Sequence, residues 1–315
     1  MCKKLVCFMR GSEMRVLFIF FMVLYMPAAL AETFKLEIEE RKFGKSEILV
    51  EIVLPDENVN GKLPLIITQH GSTLDAEIKG SKVRTDEHSK RLLQSAVKQG
   101  FAVAVIDAFY THDIKPNQKH RQPWAADYAK GLAAFLSKDS RFDPHKFFFS
   151  GFSYGGHHAH FLFEDLNFTS EHTWAAIVAA EPPCNAFFDA KKYLTPLLTI
   201  KGGESHYKPR PCEILTALYE DKGTDATLIV YPKSNHYFSH NGKITKGLAF
   251  NGCNDNPIIM QANGTWAFLD GEKVTPKIAA KRCMTKTGGS GKSREDLDLA
   301  IDDTLKFFQE KIKYK

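Results

Sequence analysis

The sequence predicts an α/β protein, a mainly parallel central β-sheet with helices on both faces. Three observations carry this. Short, continuously apolar runs recur at Leu63 to Gln69, Phe101 to Ile106, Trp174 to Ala180, Leu197 to Ile200 and Ala226 to Tyr231, as expected for strands covered on both faces. Segments of helical periodicity lie between them, the alternation that builds parallel sheets. One further run, Phe147-Phe148-Phe149, enters a glycine-flanked turn, Gly151-Phe152-Ser153-Tyr154-Gly155-Gly156, and then a segment able to continue as a helix.

The N-terminus reads as a leader. Lys3, Lys4, Arg10 and Arg15 precede an apolar run from Val16 to Tyr25, and Ala29-Leu30-Ala31 follows as a small-residue cleavage site. Residues 1–31 are therefore expected to be a secretory signal peptide, with either Met1 or Met14 as the start. The run is short for a membrane span, so no stable span is expected after cleavage, and residues 32–315 form a single domain. The leader holds four basic residues against Glu13, three of the five net positive charges. What remains is near neutral and gives no reason to expect a nucleic-acid partner. The chain is expected to be exported, periplasmic or secreted. Cys184, Cys212, Cys253 and Cys283 then read as disulfides. Four cysteines allow three connectivities, and the pairing taken is Cys184–Cys212 with Cys253–Cys283, each closing a loop of about 30 residues. No C-x-x-C pair suggests zinc, and no metal or cofactor is expected.

In chain order, Phe34 to Glu40 and Ile48 to Leu54 read as an opening antiparallel pair. Leu63 to Gln69 ends in His70-Gly71-Ser72. Thr85 or Asp86 caps a helix running to Gln99, stopped by Gly100. Trp124 to Leu136 is a second helix, with Ala126, Ala129, Leu132, Ala133 and Leu136 as its stripe. Asp143-Pro144 breaks the chain before the Phe147 strand. Pro211 to Tyr219 is a helix with proline in its first turn. Residues 240–292 are rich in Gly, Asn, Thr and Lys. They read as an extension stapled by cysteines, with Gly288 to Gly291 as a flexible spot. A closing amphipathic helix, Ser293 to Lys313, places Leu297, Ala300, Ile301, Leu305, Phe308 and Ile312 on one side. Asn167 and Asn263 match the glycosylation acceptor pattern.

The chemistry starts at Ser153. The pattern G-x-S-x-G between strand and helix holds a serine in a strained turn at the top of a sheet, with small neighbours so that strand and helix can approach. A serine hydroxyl needs a base within hydrogen-bond reach and an acid to orient that base. His236, just after the last strand in Tyr231-Pro232-Lys233-Ser234-Asn235-His236, is the expected base. His240 is its rival, and His206 and His172 fit less well. Glu204, the only carboxylate in Lys201-Gly202-Gly203-Glu204-Ser205-His206-Tyr207, is the expected acid, with Asp189 and Asp225 as rivals. The N–H groups of Tyr154 and of Ser72 or Thr73 are expected to receive an oxyanion. His70 reads as structural. His157, His158 and His160 are spaced too closely on a helix to converge on a metal. Phe109, Tyr110, Trp124, Phe187, Phe188, Tyr207 and Tyr237 fall near strand ends that border this site.

These pieces resemble the α/β-hydrolases, and within them the dienelactone hydrolase-like family. The matching stretches are LPLIITQHGS, GFAVAVIDAF, FFFSGFSYGG, PLLTIKGGESHYKPRPC and LIVYPKSNHYF, spanning roughly Leu63 to Phe238. The resemblance implies an α/β-hydrolase fold with Ser153 as nucleophile, Glu204 as acid and His236 as base. Dienelactone hydrolases proper use a cysteine nucleophile and an aspartate acid. Ser153 therefore points to a serine esterase, a carboxylic ester hydrolase acting through an acyl-enzyme on a small ester-like substrate. The alternatives are a peptidase-like or thioester hydrolase on the same fold, or an exported binding protein without catalysis.

Overall fold

The structure, a computed structural model, describes residues 31–55, 61–112, 114, 118–164, 174–236, 248–249, 251–261, 264–286 and 295–313. Residues 1–30 of the expected leader, His172, Tyr237, His240, Gly288 to Gly291, Asn167 and Asn263 lie outside the described residues.

Eight strands make one sheet: β1 (Ala31–Glu40), β2 (Gly44–Val53), β3 (Leu63–Gln69), β4 (Ala102–Asp107), β5 (Phe142–Phe152), β6 (Ala176–Ala180), β7 (Leu197–Gly202) and β8 (Ala226–Tyr231). Their order is β1-β2-β4-β3-β5-β6-β7-β8. β1 and β2 pair antiparallel from Ala31↔Val53 to Glu40↔Gly44, and β2 meets β4 antiparallel. The remaining pairings are parallel. The apolar runs form the buried strands because both sheet faces are covered. α2 (Ala125–Leu136), α3 (Tyr154–Glu164) and α4 (Arg210–Asp221) share one core with the sheet, and α1 (Glu87–Lys98) and α6 (Glu295–Lys313) share the other. In the second core Phe148 lies edge-on to Phe101 at 5.9 Å and 4.7 Å from Phe308. The closing helix thus docks on the strand that carries the elbow.

Asp143-Pro144 does not precede β5 but lies inside it. The pairing with β3 shifts register between Leu63↔Phe142 and Leu65↔Phe147. Pro144 has no N–H to give, and a bulge accommodates it without ending the strand. α1 is capped by Asp86, whose side chain accepts from Ser89 N. Gly100, at φ 85°, ends that segment.

The extension has more structure than its composition suggests. Ile258–Met260 pairs antiparallel with Trp266–Phe268 and parallel with Ala186–Phe188, a three-stranded sheet beside the main one. The helix α5 (Pro276–Cys283) follows, capped by Thr275. Both disulfides form in the expected pairing, Cys184–Cys212 and Cys253–Cys283.

Candidate active site

The turn after β5 is built by sterics. Ser153 sits at φ 51°, a left-handed conformation rare for a residue with a side chain. A Cβ on Gly151 would run into the carbonyl of Gly155, one on Gly155 into Gln69 O, and one on Gly156 into Ala180 O. Strand, turn and neighbouring strand ends meet too closely for any other residue. The backbone pins the turn, since Ser153 N donates to Ala180 O at 2.8 Å and His157 N to Ser153 O at 2.8 Å.

Ser153 Oγ lies 2.8 Å from His236 Nε2. His236 Nδ1 lies 2.7 Å from Glu181 Oε2. The carboxylate on the histidine is therefore Glu181, not Glu204. Glu204 is half-buried, and its N–H is tied to Ser234 O at 2.8 Å. Asp189 is exposed, with its N–H on Met260 O, and Asp225 pairs with Lys311.

Glu181 stands directly after β6 and carries the other positive non-glycine φ among the described residues, 55°. Its side chain is fully buried. Oε2 also takes Lys201 Nζ at 3.0 Å and Ser205 Oγ at 2.8 Å, while Gly202 N donates to Oε1. Burial by itself would favour the protonated acid, but the Lys201 charge and the His236 and Gly202 hydrogen bonds overcome it and hold the carboxyl down at about 2. Burial dominates at Lys201 and lowers its pKa despite the carboxylate. The parallel register Ile200↔Ala180 carries on to set Lys201 beside Glu181. That is the signal the sequence held: two opposite charges ending two neighbouring apolar strands, where a buried lysine demands a carboxylate.

The loop after β3 meets the nucleophile. A Cβ on Gly71 would lie 3.3 Å from Ser153 Cβ and 3.0 Å from the Phe152 ring. Gly71 N donates to Asp86 Oδ2 at 2.5 Å, so one buried carboxylate both caps α1 and holds this loop. Burial pushes Asp86 up to about 7, against the two N–H groups that stabilise its charge. Ser72 Oγ accepts from Gln122 Nε2 at 2.8 Å. Neither the Tyr154 nor the Ser72 N–H spends itself on another described residue. His70 is held by two bonds, Nδ1 to Gly71 O at 2.6 Å and Ala108 N to Nε2 at 3.1 Å. These fix a neutral tautomer with its proton on Nδ1, and burial lowers the pKa further. It shapes the loop rather than moving protons.

Of the aromatic residues expected here, Phe109 and Phe187 are buried, and Tyr110, Trp124, Phe188 and Tyr207 are half-buried. Tyr207 lies 5.4 Å and His206 4.6 Å from His236, ring centre to ring centre. His158 packs edge-on against Trp124 and Tyr154. Among the described residues no group of three or more His, Cys, Asp or Glu converges as a metal site. No helix among them is long and apolar enough to cross a membrane.

No protein-family model matches the sequence, and no curated protein matches it. Solved structures do. The chain is similar to a candidate dienelactone hydrolase from Klebsiella pneumoniae subsp. pneumoniae, at 16% identity and TM-score 0.47, over 66% of this chain and 88% of that one. It is similar to the acylaminoacyl peptidase of Pyrococcus horikoshii at 14% identity and TM-score 0.50, over 69% of this chain and 40% of that one. It is also similar to an esterase from Thermogutta terrifontis at 14% identity and TM-score 0.48, over 68% of this chain and 85% of that one. The chain thus spans about two fifths of the peptidase's length. The strand order and the elbow on β5, together with the likeness to the peptidase, give this chain the α/β-hydrolase fold.

Proposed function

We propose that this chain is a serine hydrolase that cleaves a carboxylic ester-like bond through an acyl-enzyme. The observation that carries the reading is the run of short contacts from Ser153 Oγ through His236 to Glu181, on a left-handed elbow. Ser153 Oγ attacks the carbonyl carbon as His236 Nε2 takes its proton. Glu181 holds the imidazole with its Nδ1 proton inward and balances the imidazolium. The N–H groups of Tyr154 and Ser72 receive the oxyanion. His236 returns the proton to the departing alcohol, and the same machinery then delivers water to the acyl-enzyme. The half-buried rings beside the site, Tyr207 among them, suit an apolar group on the substrate. The paired cysteines and the leader pattern support export.

The test is turnover of p-nitrophenyl esters from acetate to octanoate, with fluorophosphonate labelling in parallel. Wild type is expected to turn over and to label, and Ser153→Ala and His236→Ala to lose turnover. A folded wild type that neither labels nor turns over any ester would leave only a binding role on this fold.

A further inference from the structure

Nothing in the requirements of a serine, a base and an acid calls for a lysine, yet one is built into the centre of this site. Lys201 is fully buried at the end of β7. Its Nζ reaches Glu181 Oε2 at 3.0 Å and Pro182 O at 3.2 Å. The oxygen it meets is the one that receives His236 Nδ1 at 2.7 Å. Burying an ammonium is costly unless its geometry is good and its protons are used.

We propose that Lys201 is a positioning residue: by sharing Glu181 Oε2 with His236 it keeps the carboxylate charged and aimed at the imidazole, and it opposes the gain of a proton by His236. The inference rests on the hydrolase reading. Its physical content is a balance of charge. A lone buried carboxylate attracts a proton strongly, either onto itself or onto the neighbouring imidazole. An ammonium on the same oxygen weakens that attraction and leaves Nε2 free as a base at lower pH.

The other groups facing the pair do not replace it. Ser205 Oγ and Gly202 N donate but carry no charge. His160, on α3, feels the Lys201 charge and is held neutral by burial. His206 and Tyr207 lie against the ring of His236, and Glu204 belongs to the same loop. From α1, His88 stacks on Phe152, whose ring lies 5.7 Å from that of His236, and burial keeps His88 neutral. From α6, Asp296 takes the hydroxyl of Ser234, two residues before His236. Lys201 is the cation set on the acid.

Two readouts in Lys201→Met test this. One is the acid limb of the pH profile of kcat/KM for p-nitrophenyl acetate. The other is the protonation midpoint of His236, followed by NMR in histidine-labelled protein and needing no turnover. Both are expected to move to higher pH by about 1–3 units, with activity recovered on the alkaline side. Lys201→Gln, which keeps a donor without the charge, is expected to show the same shift with a smaller loss of stability, and it serves if the methionine variant fails to fold. A folded variant whose midpoint and limb stay at the wild-type values would overturn the proposal, even if its kcat fell. A shifted NMR midpoint in a protein whose wild type neither labels nor turns over any ester would uphold the effect of the Lys201 charge on His236 and overturn the hydrolase reading instead.

Discussion

Replacing Glu181 by glutamine tests the reassigned acid most directly. The wild-type carboxylate offers only acceptors, so His236 must keep its proton on Nδ1 and present Nε2 as a base to Ser153. An amide can turn its NH2 to Nδ1, and the imidazole then carries its proton on Nε2, where it is useless. Loss of the acid in a triad of this kind costs about 10,000-fold in kcat, and that is the magnitude expected for Glu181→Gln on p-nitrophenyl acetate. Stability should fall as well. Lys201 keeps a buried ammonium with its counter-charge gone, and removing one partner of a buried pair costs about 3–5 kcal/mol. Urea unfolding checks this, and the double variant Glu181→Gln with Lys201→Met is expected to regain most of the stability and none of the activity. Glu204→Gln serves as the comparison and should stay within a few-fold of wild type. A Glu204→Gln enzyme that loses as much as Glu181→Gln would refute the assignment, because the geometry puts one carboxylate on Nδ1.

Four further outcomes follow from the same contacts. Asp86→Ala removes both the α1 cap and the anchor of Gly71 N; about 1 kcal/mol of stability is expected to go with the cap, and kcat to fall about tenfold or more as the Ser72 N–H drifts, with KM little changed. Gly202→Ala forces a Cβ toward Ser234 O and, at 2.8 Å, Asn235 O; a folded protein with kcat down at least 100-fold is expected, and full activity would refute the crowding. Serine at both Cys184 and Cys212 opens a 28-residue separation; the expected cost of about 3–4 kcal/mol is read as a lower urea midpoint, and the loosened turn after Glu181 as a lower kcat. Stability should also depend on pH from both sides. Glu181 is held down at about 2 from 4.5, so its contribution is present above about 4.5 and lost as pH falls toward 2. Burial raises Glu164 to about 8 against its bond from Tyr219, so its contribution is complete below about 4.5 and lost as pH rises toward 8. Glu164→Gln is expected to flatten the alkaline side of a Tm-against-pH curve and leave the acid side alone.

How far the sequence reaches is set by how local each determinant is. The six apolar runs are legible because a strand covered on both faces must be apolar throughout. The elbow is legible because its serine and its glycines lie within six residues, from Gly151 to Gly156. His236 could be placed by its position after the last strand. Strand ends were harder: β5 passes through Asp143-Pro144 because a bulge in the β3 pairing absorbs the proline, a fact about the partner strand. The extension looked irregular because its strands are three residues long and one of their partners, Ala186–Phe188, lies about seventy residues upstream. The acid was misplaced for the same kind of reason. Carboxylates follow both β6 and β7, and which of them faces the histidine depends on sheet order and on the path of the loop after β8.

The glycines in Lys201-Gly202-Gly203-Glu204 show what decides it. The nucleophile leaves β5 and the acid leaves β6, its immediate neighbour, while the histidine loop starts from β8 at the sheet edge. To bring His236 between Ser153 and Glu181, that loop must cross the end of β7. It crosses at Gly202 and Gly203, where added Cβ atoms would meet Ser234 O and Pro232 O. The bonds at the crossing run one way, with Gly203 N donating to Tyr231 O and Glu204 N to Ser234 O. So the two glycines are the floor of the histidine loop, Gly202 N is a donor to the acid, and Lys201 before them is its counter-charge. A carboxylate after such a crossing, as Glu204 is, follows the passage of the loop rather than facing the imidazole that the loop carries. The short stretch that suggested Glu204 is therefore legible in another sense: a lysine and two glycines ending a buried strand mark the place where the base passes over to an acid on the neighbouring strand.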